Sequence, residues 1–185
     1  MIEIKSTHKT SDLEGILELQ QLNIKEYTSI KDRETEGFVT IKYSLELLQK
    51  MCSFEKQIIV IKDQLVIGYA LVLVQELKDS IPVLQPMFKI LNEISYHSKL
   101  LSEYNYYIMG QICIAKTHRG QGLFRKIYDR HRIEFSSRYD ICITEVSNNN
   151  PRSLGAHLKI GFEIIKTYAD ETDTWHVLIL EWRER

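Results

Sequence analysis

Residues 119–124 read Arg-Gly-Gln-Gly-Leu-Phe, and the reading of this stretch decides the fold. An apolar, strand-like run from Ile108 to Ala115 enters it, and an amphipathic helical run from Gly122 to Phe135 leaves it. A loop with two glycines between a strand and a helix N-terminus is an anion cradle. Its main-chain N–H groups converge, the helix dipole adds partial positive charge, and glycine lets a phosphate group approach the backbone closely.

Upstream of the loop, Met1 to Lys5 alternates like a short strand, and Ser11-x-x-Glu14 is a capping box that opens a helix. Leu13, Ile16, Leu17, Leu19 and Leu22 give that helix an apolar face. A polar stretch from Lys25 to Thr40 follows, then a second helical pattern with Tyr43, Leu47, Leu48 and Met51. Gln57 to Ile61 and Val66 to Gln75 read as strands of a hairpin around the polar turn Lys62-Asp63-Gln64. Residues 77–104 read as an insertion, with Pro86 in the first turn of a helix whose apolar face is Met87, Phe88, Leu91 and Ile94. A strand from Tyr106 to Ala115 leads to the loop. Downstream come a helix, a strand (Asp140–Val146), a short helix (Arg152–Lys159) and two final strands (Phe162–Tyr168 and Thr174–Trp182). The strand–helix–strand unit between residues 106 and 146 is expected to be a right-handed parallel crossover, and the hairpin before it makes the sheet mixed.

No linker or internal repeat divides the 185 residues, so one domain over 1–185 is expected, long enough to bury roughly 70% of its unfolded surface. A formal net charge of −1 argues against a nonspecific nucleic-acid or anionic-membrane binder. The longest apolar runs, such as Val66 to Val74, are about half a bilayer span, and the N-terminus does not read as a signal peptide. The three cysteines, Cys52, Cys113 and Cys142, form no CxxC and read as reduced thiols of a cytoplasmic protein. The six histidines show no i,i+4 pair, so no metal site is expected.

Three kinds of phosphate loop compete. A P-loop requires Gly-x4-Gly-Lys-Ser/Thr, which is absent. A dinucleotide fingerprint requires a third glycine where Arg125 stands. The run from Ile112 to Leu123 instead resembles the acyl-CoA loop of the GNAT superfamily of N-acyltransferases, whose pattern is Gln/Arg-x-x-Gly-x-Gly/Ala. Arg119 and Gly122 match it; Phe124 departs at the last position and has to point into the core or beside the ligand. Downstream, Val146-x3-Asn150, Ser153, His157 and Lys159-Ile160-Gly161-Phe162 resemble the family's strand–Asn–helix–Gly-Phe segment. The residues support the same layout independently. Asn150-Pro151 is a helix-start signal, and Gly161 is a C-cap that releases the chain into a strand.

The resemblance implies an α/β fold with a mixed sheet of about seven strands, splayed central parallel strands and flanking helices. It implies acetyl-CoA or another acyl-CoA as donor, and an amine of a small molecule or protein as acceptor. A homodimer is compatible with it. Arg119, Gly120, Gln121, Gly122, Leu123 and Phe124 would cradle the pyrophosphate, with a charge-assisted contact from Arg119. Main-chain groups of Ile112, Cys113 and Ile114 would lie along pantetheine, and the Ile114 N–H would polarise the thioester carbonyl. Asn150 either binds pantetheine or fixes its turn. His157 stands where many members carry a general-acid tyrosine. A place near the helix C-terminus would favour its charged form, and a packing histidine beside CoA is the other reading. Glu145 is the carboxylate nearest the acyl site by sequence position and the candidate base; an exposed strand-end charge, with a water as base, is the other reading. Glu26, Tyr27, Asp32, Glu34 and Glu36 read as a solvated charged loop or as an acidic acceptor rim, and Tyr104, Tyr106 and Tyr107 as a packed strand or as the lining of the acceptor pocket. Arg125, Lys126, Arg130 and Arg132 read as a solvated helix face with some reaching the 3′-phosphate. A catalytically silent acyl-CoA sensor is the alternative, suggested by Phe124 and the missing tyrosine.

Overall fold

The computed structural model describes residues 1–24 and 38–182. The expected acidic rim, Glu26 to Glu36, lies outside them. The strands are β1 (Ile2–Ser6), β2 (Ile58–Lys62), β3 (Leu65–Leu73), β4 (Ser95–Tyr96), β5 (Lys99–Leu100), β6 (Tyr106–Ile114), β7 (Ile141–Ser147), β8 (Glu163–Ala169) and β9 (Thr174–Glu181). The helices are α1 (Thr10–Gln21), α2 (Leu45–Phe54), α3 (Gln85–Leu91), α4 (Leu123–Phe135) and α5 (Pro151–Ile160). Seven strands form one sheet in the order β1-β2-β3-β6-β7-β9-β8. Only β6 and β7 run parallel, as the crossover through α4 requires.

Two apolar layers cover the sheet. On one face Leu13, Ile16 and Leu19 of α1 and Leu48 and Met51 of α2 pack over Tyr69, Leu71, Ile108, Ile143 and Val177. The inserted segment 77–104 joins this layer through Leu77, Leu84, Phe88, Leu91 and Leu101, so it is part of the core. On the other face Leu123, Ile127, Tyr128 and Phe135 of α4 pack over Val60, Val72, Tyr107, Cys142 and Leu178. Their spacing follows the 3.6-residue period, and each such burial is worth about 1.5–3 kcal/mol. Leu22 is exposed, beyond the apolar face the spacing predicts. At the start of α1 the expected Ser11–Glu14 box is replaced: the Asp12 carboxylate accepts from the main-chain N–H groups of His8 and Lys9 at 2.8 and 3.2 Å.

The sheet opens at one point. Leu71 of β3 pairs with Gln111, but the next residue, Val72, pairs with Met109, leaving Gly110 as an extra residue in β6. This bulge shifts the alternation, so that Ile108 and Gln111, three apart, face the same layer. No larger residue fits there, since a Cβ on Gly110 would lie 2.4 Å from Leu73 Cδ1. On the other side of β6 the parallel pairing stops at once: Tyr106, Tyr107 and Ile108 pair with Ile141, Cys142 and Ile143, and nothing beyond does. The Thr144 hydroxyl caps the fork by donating to the Met109 carbonyl at 2.9 Å.

Candidate active site

Beyond the fork, β6 and β7 are the two walls of an opening. A cleft of about 570 Å³ runs from Ile112, Cys113 and Ile114 past Arg119, Gly120 and Gly122 to the α5 residues Ser153, Gly155, Ala156 and Lys159. A smaller hollow of about 60 Å³ lies within the fork, between Met109–Ile112, Thr144–Ser147 and Trp175. Phe38, Val39, Ile112, Asn150 and Ser153 border both spaces.

The loop has the geometry its glycines demand. Gly120 and Gly122 both take φ +74°, a left-handed conformation that costs a side-chain-bearing residue about 1 kcal/mol or more. Nothing lies within 4 Å of where their Cβ atoms would be, so the space above both is open cleft. Gly122 is the N-cap of α4 and no side chain caps the helix, leaving its first-turn N–H groups facing that space. Leu123 is buried beneath, and Gln121 is exposed, its amide donating to the Thr117 carbonyl at 3.3 Å. Phe124 is half-buried, bordering the cleft while packing edge-on to His157 with ring centres 5.0 Å apart, so the departure from the family pattern is accommodated beside the cleft.

Arg119 lines the cleft, but its guanidinium ties the loop down. Nε donates to the Ile114 carbonyl at 2.9 Å, and a terminal nitrogen donates to Asn23 Oδ1 at 2.7 Å. These bonds anchor the loop, and the side chain still borders the cleft in which a phosphate contact is expected. It also engages the main chain of Ile114, whereas Ile112 borders both the cleft and the fork hollow. The Ala115 N–H donates across to β3 at Ile67, so by alternation the main-chain groups of Ile112 and Ile114 face the open side. Cys113 points the other way, toward Tyr69, and burial pushes its thiol up to about 12. Asn150 caps α5, its Oδ1 accepting from Ser153 N at 3.2 Å while Nδ2 donates to the Phe38 carbonyl at 3.2 Å.

Of the two readings of His157, its surroundings favour the packing histidine. It is 1% exposed, walled by Phe124, Tyr128 and Phe162, and burial pushes its pKa down to about 4. A carbonyl accepts only, so the 2.8 Å contact from Nδ1 to Ser153 O assigns the proton to Nδ1. Nε2 is then a bare acceptor, sealed and without a partner. Desolvation outweighs the helix-end dipole, and the imidazole is a neutral packing group that also borders the fork hollow. Glu145 departs in the opposite direction. It lines the fork hollow, and burial raises its carboxyl to about 7 against the lowering effect of a hydrogen bond from Tyr168 OH at 2.5 Å.

Other expected residues lie elsewhere. Tyr106 and Tyr107 are buried at the closed end of β6, and the Tyr104 hydroxyl donates to the Tyr96 carbonyl, so none lines the opening. On α4, Arg125 donates to the Lys159 carbonyl, Arg130 pairs with Glu134, and Arg132 lies 5.6 Å from the Trp182 ring centre. Besides Arg119, the cleft is lined by the cations Arg152 and Lys159 and by the imidazole of His118. Sequence reading missed Thr144, the Phe38–Thr40 wall and Tyr168. It also missed the buried amide pair Gln20–Gln111, which anchors that wall through Tyr43 N and Ile41 O.

No protein-family model matches the chain, and no curated protein matches it in sequence. Solved structures do match. The ribosomal-protein-S18-alanine N-acetyltransferase of Escherichia coli superposes with a TM-score of 0.64 at 13% identity, over 100% of this chain and 96% of that one. The chain has the GNAT N-acyltransferase fold. A NatC complex solved with Gag peptide and CoA gives a TM-score of 0.65 at 13% identity, covering 97% of this chain and 98% of that one. The yncA structure from Salmonella typhimurium, solved with acetyl-CoA, gives 0.60 at 14% identity, covering 100% and 95%. The splayed sheet is thus the one these acetyltransferases share. Among the described residues no helix is long and apolar enough to cross a membrane.

Proposed function

We propose that this protein transfers an acyl group, acetyl in the first instance, from acyl-CoA to an amine by direct attack. The observation that carries the reading is the adjacency of an uncapped, glycine-lined helix N-terminus and a carboxyl group in the fork of β6 and β7, in two spaces that share five lining residues. The first-turn N–H groups of α4 hold the pyrophosphate, with Arg152, Lys159 and His118 lining the same cleft. Pantetheine lies along Ile112 to Ile114 over the Gly155–Ala156 surface of α5. The thioester sits where the two spaces meet, and the Ile112 N–H polarises its carbonyl.

The amine enters from the α1–α2 side, the face on which Glu145 stands. An alkylammonium with a pKa near 10 must lose a proton before it attacks. Glu145, near 7, is matched to that task, directly or through one water. The ammonium proton passes to Glu145 and on to solvent, the neutral nitrogen adds to the carbonyl carbon, the C–S bond breaks with CoA leaving as thiolate, and the second nitrogen proton, shed as the amide forms, is taken by the regenerated carboxylate. The Ser153 hydroxyl, bordering both spaces, is a hydrogen-bond donor to the sulfur. The sealed, neutral His157 favours a second reading, a silent acyl-CoA sensor.

Calorimetric titration with CoA and acetyl-CoA, followed by a thiol-release assay over polyamines, lysine and N-terminal peptides, tests both. Binding lost in Gly122→Asp, with turnover on at least one amine, is the expected result. Tight binding without turnover on any amine selects the sensor, and absence of CoA binding overturns both.

A further inference from the structure

We infer that Tyr168 is the positioning residue for Glu145: its hydroxyl, reaching back across β9, holds one carboxylate oxygen so that the other faces the fork. The inference rests on the acyl-transfer reading and adds a residue to it. Tyr168 pairs with Trp175, and Glu145 pairs with Val177, so the two side chains stand on the same face of the sheet with β9 between them. The phenol donates to Glu145 Oε1 at 2.5 Å. Oε2 has no hydrogen-bond partner among the described residues, yet it is not sealed as the other unpartnered polar atoms are, and the residue lines the hollow. The carboxyl is thus fixed at one oxygen and open at the other.

The hairpin carrying Tyr168 is itself secured. Asp170 accepts from Thr172 N at 2.7 Å, Asp173 N at 3.0 Å and Trp175 Nε1 at 3.0 Å. Asp173 accepts from the Ser147 hydroxyl at 2.5 Å and the Asn149 amide at 2.8 Å, which ties the turn to the end of β7. A phenol on an edge strand is therefore held at a fixed distance from a group on a central strand.

Three influences meet at Glu145. Burial raises its proton affinity, the phenol lowers it, and the charge of Asp170 raises it further. No other titratable group among the described residues engages it: β9 offers Val177 and Trp175, the Phe38–Thr40 wall is uncharged, Asp173 is bound to Ser147 and Asn149, and Lys166 on β8 is exposed and makes no contact with the carboxyl. Removing the phenol leaves both raising influences unopposed.

The test follows the side-chain carboxyl carbon of Glu145 by ¹³C NMR titration of the full chain, assigned with Glu145→Gln. Tyr168→Phe is expected to move the midpoint up by about one pH unit, and Asp170→Asn to move it down. The CoA dissociation constant stays unchanged in Tyr168→Phe. With an accepted amine, the acid limb of kcat/KM moves up with the midpoint; a merely structural role would lower activity at every pH without moving that limb. In the wild type, a slowly exchanging Tyr168 hydroxyl proton, lost in Glu145→Gln, reports the same bond without altering Tyr168. A midpoint that is the same in wild type and Tyr168→Phe, or the absence of that proton, overturns the inference. Loss of CoA binding in the wild type instead overturns the acyl-transfer reading, so the two failures are distinct.

Discussion

Two histidines buried between the sheet and its helices make a pH dependence that can be worked out in advance. His131 on α4 is fully buried, its Nδ1 2.9 Å from the Tyr107 hydroxyl, and burial pushes its pKa down to about 3. His157 on α5 is pushed down to about 4. In the unfolded chain both titrate near 6.5. The unfolded state therefore takes up protons first on acidification. Stability from these two groups is full above pH 6.5 and is lost as pH falls toward 4 and then 3. At pH 5 each imidazole has given up about 2 kcal/mol, and the pair about 4 kcal/mol, a large share of a typical 5–15 kcal/mol. For a chain of this length that corresponds to roughly 8–16 °C in Tm. Glu145 works the other way, since its folded carboxyl, near 7, binds a proton before the unfolded one does. The total slope of the wild type is accordingly shallower than the histidines alone would give. Urea unfolding at pH 8 and pH 5 of the wild type, His131→Phe, His157→Phe and the double variant isolates them. Each single variant should remove about 2 kcal/mol of acid sensitivity, and the double variant about 4 kcal/mol. Any fixed cost of leaving Tyr107 unpaired drops out of the pH difference. Equal pH slopes in wild type and double variant would refute the reasoning, as would native imidazole resonances titrating near 6.5.

Three further outcomes are expected. Glu145→Gln should lower turnover by about 10²–10⁴ with CoA affinity unchanged by calorimetry; unaltered turnover would assign the proton to water alone. Gly110→Val should destabilise by about 1–3 kcal/mol in urea unfolding, because its Cβ would meet Leu73 Cδ1 at 2.4 Å, and it should weaken activity more than a surface change of equal stability cost. Arg119→Ala should reduce CoA affinity less than tenfold, since the guanidinium binds Ile114 O and Asn23. A loss beyond a hundredfold would return Arg119 to the phosphates.

What was legible in the sequence is what local rules control. The glycine pair of the loop, the helix after it, the hairpin and the Gly161 turn are set by φ preferences and by period-2 or period-3.6 patterns, and all appear in place. The fork is different. Gly110 reads in sequence as one weak residue in an apolar strand, and only its pairing shows that it is the extra residue that shifts the alternation and puts Gln111 among the helices. Side-chain roles were least legible where burial decides them. A helix C-terminus favours a charged histidine when solvent is near; with Phe124, Tyr128 and Phe162 around it, desolvation wins and His157 is neutral. Glu145 reads as a strand-end charge until Tyr168, twenty-three residues downstream, is brought beside it.

Phe124 and His157 are best understood as one adaptation. In the family pattern a small residue follows the loop glycine by two, and a tyrosine occupies the helix position of His157. Here a phenyl ring lies half-buried beside the cleft, and the side chain from α5 must meet it as a ring edge, which the 87° interplanar angle shows. The chemistry requires no replacement at this position, since a thiol leaves as thiolate near neutrality with little help. The deprotonation of an alkylammonium is the steeper demand, and the chain meets it on the opposite face of the fork, with a carboxyl raised to about 7. On the acyl-transfer reading, kcat is therefore expected to follow the titration of Glu145 while remaining indifferent to that of His157.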